Sequence, residues 1–147
     1  NEIIIYYSEK GKEKYVVLNT DFLSEFSFSD SLINRYRYFE FIELPGIAGK
    51  ALYENASSGK IPFYIKPLKK IATGSSGKGR GAFENLYEYY INTGSGYAGF
   101  YSKNKLIKHL GSFGSEANRF IKKNHIKINN RHPEGVIAVM NYLNGIN

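Results

Sequence analysis

The chain has 147 residues, 42% of them hydrophobic, a formal net charge of +7 and no cysteine. That length can bury a core without staples, and that apolar fraction excludes a disordered chain. The missing cysteine excludes disulfides, thiolate metal sites and cysteine nucleophiles, and no run approaches the length of a membrane-spanning helix.

The charge is unevenly placed. From Tyr101 onward eight Lys/Arg face two acids, while the first hundred residues hold twelve against eleven. A basic C-terminal third suits a nucleic acid, a phospholipid head group or an acidic partner surface; the plainer reading is a solvated helix face. Tyr and Phe supply all the aromatic residues, which favours half-buried strands. The chain begins at Asn1 and Met140 is its only methionine, which reads as a cleaved targeting segment or a trimmed start.

In chain order, Ile3 to Tyr7 and Tyr15 to Leu18 read as two strands joined by a turn at Glu9 to Lys12. Three apolar residues in a row, Ile3 to Ile5, predict burial on both faces. Phe22, Phe26 and Phe28 alternate with polar residues, which predicts a strand from Phe22 to Phe28. Another aromatic strand runs from Tyr36 to Leu44 and ends at Pro45-Gly46. Lys50 to Ala56 is open between strand and helical turn. Ile61 to Ile71 is extended, and Pro62, Pro67, Lys66, Lys69 and Lys70 predict a sheet edge. Thr73 to Gly81 is a glycine-rich loop. Asn85 to Asn92 and Tyr97 to Ser102 are paired strands. Lys103-Asn104 reads as a turn, and Lys105 to Leu110 as a strand or a short helix.

Two amphipathic helices close the chain. Ser115 is the expected N-cap of the first, with Ala117, Phe120 and Ile121 as its apolar stripe and Lys122 and Lys123 in its last turn. Pro133 opens the second, Val136, Val139, Met140 and Leu143 repeat at helical spacing, and Gly145 stops it. The expected class is α+β: a single domain over 1–147, with N-terminal strands (1–44), a central antiparallel sheet (45–112) and a helical pair (113–147).

No motif carries a recognisable chemistry. Gly74 to Gly81 lacks the spacing of a phosphate loop, and is read as a plain loop. His109, His125 and His132 have no i, i+4 pair. Glu40 and Glu43 fall on opposite strand faces, Glu84 and Glu88 on one face among tyrosines. Gly94-Ser95-Gly96 is no nucleophile elbow. Tyr87, Tyr89, Tyr90, Tyr97 and Tyr101 beside Lys103, Lys105 and Lys108 suggest base stacking; the plainer reading is cross-strand ring pairs.

The order of elements from Leu44 on carries a resemblance. An extended basic segment (Ile61 to Ile71), a glycine-rich loop, a Tyr89-Tyr90 strand and a Lys-rich element (Lys103 to Ile107) precede Arg119 to Ile128 and a terminal apolar helix. This arrangement resembles the C-terminal half of a group of uncharacterised secreted proteins of Bacteroidota. Gly46 to Gly49, Tyr53-Glu54 and Gly59-Lys60 are similar to that group's upstream hairpin. The resemblance implies export, hence an address in the periplasm or at the outer-membrane periphery, and no activity.

The expectation is therefore a non-enzymatic cell-envelope protein that binds another protein, as an accessory subunit of an outer-membrane assembly, without a cofactor or metal. Its candidate partner-binding residues are Lys66, Lys69, Lys70, Lys78, Arg80, Lys122 and Lys123. The alternatives are a nucleic-acid-binding module with a Tyr/Lys surface and a hydrolase of unrecognised kind, for which a pocket holding two carboxylates would speak.

Overall fold

The computed structural model describes residues 2–30, 35–57, 59–72 and 82–145. Among them are strands β1 (Glu2–Glu9), β2 (Lys12–Asn19), β3 (Glu25–Asp30), β4 (Arg35–Ile42), β5 (Ala51–Ser57), β6 (Phe63–Ala72), β7 (Ala82–Asn92) and β8 (Tyr97–Phe100). Helices α1 (Lys103–His109), α2 (Gly114–Lys123) and α3 (Glu134–Gly145) follow. The class is α+β, as the sequence predicts. β1 and β2 form a hairpin sheet of their own, and β3 to β8 form a six-stranded antiparallel meander in sequence order.

One row of side chains crosses the whole meander. Phe26 faces Phe39, Phe39 faces Glu54, Glu54 faces Ile65, Ile65 faces Tyr89 and Tyr89 faces Phe100. Because strand side chains alternate between faces, this row defines the face that the helices cover. Phe63, Ile65, Tyr89, Ile91 and Phe100 from that face join Leu106, Ala117, Ile121, Val136, Val139, Met140 and Leu143 in one core. The opposite, outer face carries Tyr53, Tyr64, Tyr90 and Tyr97, with Leu44 and Ile47 folded onto them. Their rings meet edge to face: Tyr53 against Tyr90 at 5.5 Å and Tyr64 against Tyr97 at 5.5 Å.

The helices are fixed by close backbone approaches. A Cβ on Gly135 would lie 2.3 Å from the Lys127 carbonyl oxygen, and one on Gly114 would lie 2.6 Å from that of Ile107. At the far end of α3, Asn144 accepts from the Ile61 N–H at 2.8 Å and donates to the Ser57 hydroxyl. That side chain ties the last helical turn to the β5–β6 connection.

Several expectations need correction. The segment Ile61 to Ile71 is no sheet edge, since β6 lies between β5 and β7. The prolines are still accommodated. β5 pairs with β6 only from Phe63 to Ile65, so Pro67 lies past the end of that pairing. The Asn92 N–H bonds the Pro62 oxygen, and the Tyr87 N–H, opposite Pro67, points away to Asn130. That alternation turns the missing N–H of Pro67 to the β5 side, where the ladder to β5 has already stopped.

Lys103-Asn104 opens helix α1 rather than a turn, and Lys105 to His109 continue it. Ser115 sits inside α2, whose N-cap position is Phe113. Phe22 belongs to a 3-10 turn before β3 and is exposed. Lys50 to Ala56 resolves mainly into strand β5.

The largest departure is the hairpin. Ile3 to Ile5 predict burial on both faces, yet Ile4 is 48% exposed, and no hairpin residue with a described side chain is buried. The hairpin itself is well specified. Its two-residue turn, Lys10-Gly11, has positive φ at both positions (51° and 75°), the type I′ geometry that matches strand twist.

The buried rings predict an alkaline signature. Burial raises the phenol pKa of Tyr53, Tyr64, Tyr89 and Tyr90 above its ordinary value. The folded chain therefore keeps phenol protons that the unfolded chain releases above pH ~10, so this stability is complete below that pH and is lost as pH rises through the folded pKa values. The denaturant midpoint should hold steady from pH ~8 to ~9.5 and fall above pH ~10. Tyr53→Phe removes a buried hydroxyl that has no partner. It should cost nothing at neutral pH, or gain up to ~1 kcal/mol, and should lessen the alkaline fall. A midpoint unchanged to pH ~12 would contradict this.

Candidate functional site

Where the helices stop, the helix-bearing face stays partly open. Two cavities lie there and share Asp30, Arg37 and Tyr87. One, of about 430 Å³, is bounded by the start of α3 (Pro133, Glu134, Ile137) and by Arg35 on β4. The other, of about 800 Å³, lies between the sheet and the hairpin, with Phe26, Phe28, Phe39, Leu52 and Pro67 as its apolar floor. Together they form a cleft running from α3 to β1.

The ionic end of the cleft is built on Glu54. It occupies the middle of the apolar row on strand β5 and is 2% exposed. Position 54 faces Phe39 on β4, and two and four residues back along β4 the same face presents Arg37 and Arg35. Arg37 Nη2 donates to Glu54 Oε2 at 2.6 Å, and Arg35 Nη2 donates to Oε1. Arg37 Nη1 also stands 3.6 Å from Asp30 on β3. Burial lowers the Arg37 pKa, but the hydrogen bond and charge of Glu54 outweigh it and the net shift is upward. The guanidinium carbon of Arg37 lies 5.0 Å from the Phe39 ring centre and 5.7 Å from that of Phe28. Those rings stack with Phe26 in near-parallel planes, so the cation closes one end of an aromatic strip. The Nε–H groups of both arginines are buried without an acceptor.

The sequence points elsewhere. Lys66 is half-buried on the outer face, 3.8 Å from Glu88. Lys69 and Lys70 are exposed at successive positions of β6 and so point to opposite faces. Lys122 and Lys123 are exposed at the end of α2. Lys78, Arg80 and the rest of the glycine-rich loop lie outside the described residues. The Tyr/Lys surface does not assemble either: Tyr89 and Tyr90 are buried on opposite faces, and of the five rings only Tyr101, with Lys105 Nζ 4.5 Å from its centre, is both exposed and beside a lysine. Glu84 bonds Arg131 and Glu88 accepts from Tyr90. Among the described residues no three His, Asp or Glu side chains gather into a metal-binding group, and no helix is long and apolar enough to cross a membrane.

Sequence reasoning passed over Glu54, Arg35 and Arg37. The available signal was a lone acid within the otherwise uncharged strand β5, together with two arginines at strand spacing two residues apart on β4. The chain matches no family model, no curated protein and no solved structure.

Removing one member of a buried ion cluster leaves the others uncompensated. Glu54→Gln should cost about 3–5 kcal/mol. Replacing Arg35, Arg37 and Glu54 together by Met, Met and Leu should cost far less. Calorimetric melting decides the matter: a loss below ~1 kcal/mol in Glu54→Gln would show that the cluster does not hold the sheet.

Proposed function

We propose that the protein is a non-enzymatic binding protein whose ligand is another protein, taken up through the β1–β2 hairpin and the cleft beside it. One observation carries this reading. Ile4, Tyr6, Tyr15 and Val17 share one hairpin face and are 48%, 75%, 65% and 47% exposed. A two-stranded hairpin is marginal by itself in water, and contiguous apolar surface of this kind marks an interaction site. The burial that Ile3 to Ile5 call for comes, on this reading, from the partner. The same proposal places the protein at the outer-membrane periphery as an accessory subunit, an address supported by the resemblance from Leu44 onward alone.

The test is capture from gently solubilised envelope with tagged protein, followed by mass spectrometry. Wild type should recover a stoichiometric outer-membrane protein. A variant with Ile4, Tyr6, Tyr15 and Val17 changed to Thr should recover about tenfold less or worse, as expected when central apolar contacts are lost. Nothing recovered with wild type, or equal recovery with the variant, overturns the reading.

A second reading has one observation in its favour. Asp30 and Glu134 line the same 430 Å³ cavity as Arg35 and Arg37, and two carboxylates in one cavity suit acid–base hydrolysis. On that reading wild type cleaves a chromogenic ester or glycoside, and Glu134→Gln lowers the rate by about a hundredfold or more. Absence of turnover by wild type removes it.

A further inference from the structure

We infer that the free edge of β1 accepts an added strand, namely an uncharged, extended segment of the partner protein with apolar side chains at alternate positions. This rests on the protein-binding reading and names the class of partner at that same site.

Three observations carry it. First, the hairpin stands edge-on to the cleft. The cleft wall takes five consecutive residues of β1, Ile4 to Ser8, and none of β2. Successive strand residues point to opposite faces, so what borders the cavity is the strand's edge. Second, the ladder leaves that edge unpaired. The two-residue turn closes on the pair Glu9 and Lys12, which makes the odd-numbered positions of β1 the hydrogen-bonded ones. The N–H and C=O groups of Ile4, Tyr6 and Ser8 therefore point away from β2, toward the cleft. Third, the charges fit a neutral strand. Edge strands are ordinarily guarded by charge or proline. β2 carries Lys12, Glu13 and Lys14, whereas Ile3 to Ser8 carry no charge, proline or glycine. The charged residues lining this part of the cleft are Arg37 and Asp30, which face each other at 3.6 Å. A charged segment would find no counter-ion there, while an apolar one would lie on Phe26, Phe28 and Phe39. Main-chain bonds to β1 and alternate side chains on that floor are the recognition mode of strand addition.

The test uses the full chain with a segment of about eight alternating Thr and Val residues fused before Asn1 through a Gly/Ser linker of about twelve residues, so that high effective concentration replaces tuned affinity. Hydrogen exchange is read amide by amide. The amides of Ile4, Tyr6 and Ser8 should exchange at least about tenfold more slowly than in the unfused chain. A fused segment with proline at every position should give no slowing, because without any N–H it cannot bond the β1 carbonyls and no ladder forms. Tyr6→Pro in the fusion should abolish protection at Ile4 and Ser8, and Tyr6→Ala should keep it. The ladder amides of Ile5 and Tyr7 report whether the hairpin remains formed. Unchanged exchange at Ile4, Tyr6 and Ser8 overturns the inference. So does slowing at Glu13, Tyr15 and Val17 instead, which would put the strand on the other edge. Hairpin-dependent capture with unchanged β1 amides would leave the protein-binding reading standing and remove strand addition alone. Slowed β1 amides without any captured protein would do the reverse.

Discussion

A carboxylate in the middle of an apolar sheet face constrains this molecule more than any other single group. Glu54 lies in a row of Phe, Ile and Tyr side chains and is shut away from water. A charge there is tolerable only if it is matched and hydrogen-bonded. Arg35 and Arg37 do both, and their positions follow from the register of β4 on β5. Once two guanidinium groups occupy that place, helices cannot lie flat across it. The helical cover is confined to the β5–β8 side, and the β3–β4 side is left to an aromatic strip capped by Arg37.

The cleft follows from that boundary. On one side α3 turns its first residues toward the arginines; on the other β1 stands with its edge to the cavity. The hairpin is thus placed where an unfinished sheet face meets an unfinished sheet edge. The outer face of the meander is closed differently. Tyr53, Tyr64, Tyr90 and Tyr97 pack edge to face beneath Leu44 and Ile47, so aromatic area buries what a second helical layer would otherwise cover. The β3–β4 end of that face stays polar, where Tyr38 donates to Glu25 and its phenol pKa is pushed up to about 12 by that bond.

The architecture was legible in the sequence because most elements carry their own period. Val136, Val139, Met140 and Leu143 announce α3, and the alternating rings announce β4 and β7. Short-range ambiguity accounts for the misread turn at Lys103, where the amphipathic pattern of α1 spans only seven residues. Proline and lysine in β6 suggest an edge because a sequence does not show where a pairing stops; the β5–β6 pairing stops at Glu54 and Ile65, before Pro67, although β5 itself continues to Ala51. The hairpin was misread for the opposite reason. Ile3 to Ile5 state a demand for burial, but nothing local states whether this chain or another supplies it. The site was nearly illegible, since Glu54, Arg35 and Arg37 converge only through strand register, and the lysines that stand out in the sequence, Lys69, Lys70, Lys122 and Lys123, are solvated.

The hairpin, on this reading, is displayed for a partner rather than built into the chain's own core. That is tested most directly by comparing the thermal melting of the full chain with that of a chain beginning at Thr20. The core residues lie outside the hairpin, so the two melting temperatures should agree to within ~2 °C, a difference worth about 0.5–1 kcal/mol for a chain of this size. A shortened chain that melts ~10 °C lower, or does not fold, would contradict it and would make β1 and β2 part of the protein's own support.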